Sequence, residues 1–242
     1  MTDTLTVLSK ELREMLLQGG RRGKTALLVF VAVFGVFLPW QSGRYWVTSP
    51  ISLIYFSWLP LMQVISVIAD AFAGERERHT LETLLASRLP DRAILFGKLG
   101  AAIAYGWGFT MVAMVVGLIT TNVASWDGEL TMYSPGMAAA ILASSILTAL
   151  MAAGAGILIS LRAATVRQAQ QTLGLIMMGL TFVPILGIQA LPHDMRRELF
   201  TQLAAGGTVN FVLLLFLLGA IVDAVLLAAA MARFRRSRLI LD

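Results

Sequence analysis

Cysteine is absent from the 242 residues, which excludes disulfides, thiolate metal sites and a cysteine nucleophile. Charge is scarce: 14% of the residues are Asp, Glu, Lys or Arg and 57% are hydrophobic, against roughly 25% charged in an ordinary soluble domain. Too little polar surface remains to cover a water-soluble globule, so lipid has to be the solvent for much of the chain. Histidine occurs twice, as His79 and His193, far apart and with no Ser/His/Asp arrangement around either. The 12 methionines are scattered rather than clustered, which is how Met fills apolar packing gaps and not how it lines a soft-metal path. No second domain, internal repeat or low-complexity linker is visible.

What the sequence does have is long uncharged runs, at 25–41, 51–69, 99–125, 130–161, 168–192 and 199–222. All but the first reach the ~18 residues expected of a bilayer span. Backbone N–H and C=O groups must be satisfied within the segment in lipid, so helices are required. The expected fold is an all-α membrane protein with six transmembrane helices, at about 25–41, 51–70, 98–121, 136–160, 171–190 and 210–232. Trp40 marks the interface of the first span. Arg21, Arg22 and Lys24 ahead of that span imitate a signal peptide, but no small-x-small cleavage site follows, so an uncleaved first helix is expected.

The net charge of +5 does not point to nucleic acid, because the basic residues flank apolar runs and act as topology signals. Assigned to alternate sides of six spans, sixteen fall on one side: Lys10, Arg13, Arg21, Arg22, Lys24; Arg76, Arg78, Arg88, Arg92, Lys98; Arg162, Arg167; and Arg233, Arg235, Arg236, Arg238. Arg44, Arg196 and Arg197 fall on the other. The excess marks the cytoplasmic side and puts both termini there. The third loop, with Asp127 and Glu129 and no Lys or Arg, fits the outside.

Ahead of the first span, Leu5, Leu8, Leu12 and Leu16 recur at helical spacing while Lys10, Glu11, Arg13 and Glu14 take the other face. The pattern predicts an amphipathic helix over 4–20, lying either along the cytoplasmic membrane surface or on another subunit's soluble domain.

Between spans two and three, the cytoplasmic loop at 71–97 is the most informative segment. Leu81, Leu84 and Leu85 fall on one stripe of a short helix, Thr80 can cap it, Pro90 stops it, and Asp91 can cap the helix that leads into Ile94 and Leu95. An apolar stripe flanked by alternating Glu and Arg suits a cleft on a soluble partner. The alternative is a solvated loop with internal pairs such as Arg78 with Glu82.

The order Gly74-Glu75-Arg76-Glu77, then Thr80-Leu81-Glu82, Leu84-Leu85-Ala86-Ser87, a proline, and Ile94-Leu95 before Gly97-Lys98 resembles the signature stretch of ABC-2 type ABC transporter permeases. The resemblance extends more loosely over nearly the whole chain. It implies a single ABC-2 (type V exporter-like) transmembrane domain over 1–242 whose 71–97 loop carries a coupling helix for a nucleotide-binding ATPase subunit. Residues Glu75, Arg76, Glu77, Thr80, Leu81, Glu82, Leu84 and Leu85 would make that contact. The chain departs from the family pattern at His79, where a glycine is usual, and at Arg88-Leu89, which separates Ser87 from Pro90. The haem-exporter membrane subunit of cytochrome c maturation is a similar but poorer match.

Gly23-Lys24-Thr25 looks like the end of a P-loop, but position 18, where the first glycine belongs, is Gln18. The chain is therefore not expected to be an enzyme or to hold a cofactor or metal of its own; ATP and Mg belong to the partner ATPase. Asp223 is the one acid deep in a span, either part of a translocation path together with Gln63 or a carboxyl bonded within the bundle. Pro60 and the Pro184-Ile185-Leu186-Gly187 stretch are candidate kinks or breaks. The 193–205 segment, with Leu199, Phe200 and Leu203 on one face, reads either as a helix dipping into the outer leaflet or as an exposed connector.

Taken with the resemblance, these features lead us to expect the permease subunit of an ATP-driven exporter, homodimeric or paired with a relative. Its place would be the bacterial cytoplasmic (plasma) membrane, in contact with lipid and not with nucleic acid. A haem-exporter-like maturation permease, an ATP-independent membrane scaffold and an ion-coupled carrier working through Asp223 remain the alternatives.

Overall fold

The computed structural model describes residues 2–18, 20–80, 88–205 and 208–234. Every regular element among them is helical. The helices are α1 (Thr2–Gln18), α2 (Gly20–Val31), which runs through a π-helical stretch Ala32–Phe37 into α3 (Leu38–Ser42), α4 (Tyr45–Thr48), α5 (Ile51–Ile68), α6 (Asp70–Glu77), α7 (Asp91–Ala124), α8 (Pro135–Ser160), α9 (Val166–Ala190), α10 (His193–Ala205) and α11 (Thr208–Arg233).

Among the described residues, four helices are long and apolar enough to cross a membrane: Ile51–Glu77, Asp91–Ala124, Pro135–Ser160 and Leu213–Arg233. Leu27–Ser42 is apolar but shorter. The fifth expected span corresponds to α9, which opens with Arg167, Gln168, Gln170 and Gln171 and is not among the four.

The first apolar helix contains the π stretch because of a proline. Pro39 has no N–H to give to the carbonyl four residues back, that of Gly35. The Gly35 carbonyl accepts a hydrogen bond from Thr120 Oγ1 of α7 at 2.8 Å, and a wider π turn accommodates the disrupted ladder. By contrast, α5 continues through Pro60 and α9 through Pro184. The candidate break in the fifth span does not occur: α9 runs on as one helix from Val166 to Ala190.

The second span extends further than its apolar run. After one turn residue at Ala69 the chain continues as α6 to Glu77, with Ala71, Phe72, Ala73 and Gly74 buried. The Ser160 hydroxyl of α8 bridges this break: it donates to Ala69 O at 3.0 Å and accepts from Phe72 N at 3.2 Å and Ala73 N at 3.0 Å. Residues 91–97, expected in the loop, are already the first turns of α7. Of the expected 71–97 loop only 78–80 and 88–90 are described as non-helical, with 81–87 outside the described residues.

α8 sits centrally, against α5, α7, α9 and α11, and α1 packs on α7. Lipid supplies no hydrophobic force between helices, so close approach at small residues and interhelical hydrogen bonds do the work. Gly106 faces Val64, Gly154 faces Leu226, Gly156 faces Ile68 and Gly219 faces Leu147. Ser57 Oγ donates to Ser144 Oγ at 2.6 Å, Thr148 Oγ1 donates to Ser57 O at 2.7 Å, and Trp107 Nε1 donates to Ser145 Oγ at 3.1 Å.

Among the described residues three apolar clusters result, the smallest being Ala69, Ala73, Ala163 and Ala169 between α6 and the α8–α9 turn. Of the larger two, one, near the charged end, centres on Phe72, Ile68, Ile94 and Ile157. The other, at the aromatic end, centres on Trp46, Phe56 and Ile141.

Candidate functional site

α6 and the residues after it carry the charges singled out in the sequence, and the fold gives each described one a separate task. Glu75 and Lys98, 23 residues apart, meet: Lys98 Nζ donates to Glu75 Oε1 at 2.7 Å. The same ammonium donates to Glu11 Oε1 of α1 at 3.0 Å and lies 5.6 Å from the centroid of the Phe72 ring. The Lys98 side chain is only 2% exposed. One cation thus ties together α1, α6 and α7, surrounded by two carboxylates, and Glu75 Oε2 has no hydrogen-bond partner among the described residues.

Glu11 is a correction to the sequence reading, which placed it with Lys10, Arg13 and Glu14 on an outer polar face. It is buried, beside Val7. α1 has three faces rather than two: Val7 and Glu11 turn toward α7, where Gly97 and Gly100 admit Val7 and Leu8 closely, Lys10 and Arg13 are exposed, and Leu5 and Leu16 of the leucine stripe are exposed on a third side. Eleven is one turn beyond seven, so Glu11 shares the inward face set by Val7.

Arg76 and Glu77 embrace the turn between α8 and α9. Arg76 donates to Leu161 O at 2.8 Å and to Ala163 O at 2.6 Å, placing a cation on the free carbonyls at the end of a helix. Glu77 Oε1 accepts from Val166 N at 3.1 Å, placing an anion at the start of the next. Arg78 folds back to Asp70 through two contacts of 3.2 Å, which hold its pKa above the usual arginine value. The expected Arg78–Glu82 pair involves a residue outside the described ones.

The chain then leaves α6 by a Schellman-type stop: His79 N donates to Arg76 O at 3.1 Å and Thr80 N to Glu75 O at 2.9 Å. His79 has φ 55°, the left-handed conformation that glycine adopts without cost. Here His79 stands where the resemblance expects glycine. Thr80 completes this stop, its Oγ1 donating to Glu75 O at 3.3 Å. Leu81, Glu82, Leu84 and Leu85 lie outside the described residues. Asp91 opens α7 within its first turn, one residue past the capping position, which is Pro90.

A family model described as ABC-2 family transporter protein matches residues 53–239. The chain belongs to this family. It is therefore a multi-pass membrane protein and a membrane permease of an ABC transporter. Neither a curated protein nor a solved structure matches it to a significant degree. The match to the ABC-2 family starts at residue 53, so Glu11 is contributed to the Lys98 cluster from outside the matched segment.

Deeper in the ABC-2 permease, Asp223 is 4% exposed and neither carboxylate oxygen has a hydrogen-bond partner among the described residues. It shares a stripe of α11 with Gly219 and Leu226, which pack on Leu147 and Gly154 of α8. Gln63 is buried on α5, and no hydrogen bond joins the two. The sequence motif found Glu75 and Lys98 but not their meeting or Glu11. A charged residue among those of α1 that fall on Val7's side of the wheel was the available signal.

Proposed function

We propose that this ABC-2 permease is the membrane subunit of an ATP-driven exporter, with a separate nucleotide-binding subunit docked on residues 75–87. In this reading residues 1–242 form one transmembrane domain of six spans, α1 lies on the cytoplasmic membrane surface, and both termini are cytoplasmic in the bacterial plasma membrane. ATP and Mg belong to the partner. A second permease chain, identical or related, completes the path, since six helices alone make a thin wall around one.

The observation that carries the proposal is the Lys98 cluster. A docking loop transmits force only if its base is fixed to the spans it must move. Glu75 at the loop's entry and Lys98 just after its exit are joined directly, and Arg76 and Glu77 attach the same base to the α8–α9 turn. A displacement of the loop by closure of the ATPase subunits would reach α5, α7, α8 and α9 together. Leu81, Leu84 and Leu85 supply the apolar anchor for the partner and Thr80 and Glu82 its polar margin.

Co-purification tests this. An ABC ATPase should be retained by the native chain and lost from Leu84→Asp/Leu85→Asp; failure of any ATPase to associate would defeat the reading.

Asp223 supports a second reading, an ion-coupled carrier, because a buried carboxylate without a partner is costly unless it meets a cation, a proton or water. Asp223 and Gln63 would then line the path. Transport that follows a proton gradient without ATP and is lost in Asp223→Asn would favour the carrier over the ATP-driven exporter.

A further inference from the structure

At the charged end of the bundle, a cleft of about 530 Å³ opens between the end of α8, the start of α9 and the end of α11. Its lining has a polar part, the rim, of Arg162, Arg233, Gln168 and Thr172, and an apolar part, the floor, that includes Ile159 and Ile176. Among the described residues no carboxylate lines it. Among the described residues, neither Arg162 nor Arg233 has an acidic partner.

The neighbouring charges are arranged to leave these two guanidinium groups available. Arg76 already saturates the carbonyls of Leu161 and Ala163. Glu77, at the end of α6, is engaged by Val166 N. Gln168 accepts from Ala164 N at 3.0 Å through Oε1, which leaves its Nε2 as a donor. The start of α9 adds the positive end of a helix dipole. Two arginines, an amide N–H and a hydroxyl around one opening form a donor set for a phosphate.

The floor narrows the class of ligand. Ile176 belongs to the exposed apolar face of α9 that continues through Leu175 and Met178, so the cleft opens onto a surface that would lie in hydrocarbon. A free anion uses only the rim, whereas a lipid uses both rim and floor. We propose that this cleft binds an anionic phospholipid of the cytoplasmic leaflet, its phosphate held by Arg162 and Arg233 and an acyl chain laid along Ile159 and Ile176. The leaflet rests on the orientation, and the hydrocarbon contact of α9 on the six spans, given under Proposed function.

The test uses the full chain in detergent, titrated with dioctanoyl phosphatidylglycerol, dioctanoyl phosphatidylcholine or inorganic phosphate, with the thermal midpoint as readout. Phosphatidylglycerol should raise the midpoint saturably and the other two should not. At about one favourable contact of ordinary strength per arginine, Arg162→Gln/Arg233→Gln should need roughly thirtyfold more phosphatidylglycerol for the same effect. Equal response to phosphatidylcholine, an equal response to inorganic phosphate, or unchanged affinity in the double variant each overturns the proposal. Should the double variant fail to fold, Ile176→Trp fills the floor and must weaken the same lipid; unaltered binding overturns it equally.

This readout is independent of ATPase association, so loss of the exporter reading leaves the site standing. Orientation is read separately. Ala164→Cys, the single thiol in a chain with no cysteine, should be labelled from the cytoplasmic side, and labelling from the opposite side alone overturns the leaflet assignment.

Discussion

At one end of the bundle a buried lysine, Lys98, holds two carboxylates; at the other, Arg44 pairs with Asp127 while about a third exposed. Arg44 also donates to Ser125 O at 3.2 Å and to Glu129 O at 2.8 Å, clasping the turn between α3 and α4 to the loop that follows α7. The mass of that end is aromatic: Trp46 stacks on Tyr55 at 5.4 Å and meets Phe56 edge-on at 5.8 Å. Both ends join helices distant in sequence, but with different penalties. A buried ion cluster cannot lose one member without stranding the others in a poorly solvated site, whereas an exposed clasp can be replaced by water. The charged end is thus built to move as one piece, and the aromatic end is closed by packing.

The largest effect should come from breaking the cluster at its centre. Lys98→Met leaves Glu11 and Glu75 buried without a cation and should lower stability by about 3–5 kcal/mol, read by thermal unfolding in detergent. Adding Glu11→Gln and Glu75→Gln to it should recover most of that loss, since removing all the charges removes the penalty as well. If the single variant is as stable as the native chain, the contrast between the two ends collapses.

Arg76→Gln removes two charge-assisted bonds to carbonyls at the end of α8 and should cost about 2 kcal/mol by the same measurement. It should also loosen amide exchange across 161–166, a region that substitutions at the aromatic end leave unchanged.

His79→Gly acts in the opposite direction. Relief of the left-handed conformation should raise stability by about 1 kcal/mol, visible as a higher thermal midpoint. A lower midpoint would mean that the imidazole makes a contact whose value exceeds the strain.

The smallest change is expected at the exposed clasp. Arg44→Gln should cost below about 1 kcal/mol and the cost should shrink in high salt. Comparable losses from Arg44→Gln and Lys98→Met would show the two ends to be equivalent after all.

Much of this was legible in one dimension. Apolar runs at 51–69, 99–125 and 130–161 became helices that reach across a membrane, because in lipid the backbone has nowhere else to place its hydrogen bonds. The loop motif carried the family. Helix ends were less legible: α6 extends the second span to Glu77 because Ser160 of α8 bridges the break at Ala69, and no local pattern announces a hydroxyl arriving from 91 residues away. Pro184 looked like a break and is not one, while Pro39 shaped the first apolar helix through Gly35 and Thr120.

The sequence by itself determined the solvent, the helical class and the segment that identifies the family, since each depends on composition or on neighbours along the chain. Only the tertiary structure decided what the motif's charges do. Lys98 meets Glu75 and Glu11 across separations of 23 and 87 residues, and Arg76 and Glu77 find helix ends rather than one another. Charge pairing in a bundle is set by which helix faces touch, and that is a property of packing, not of order along the chain.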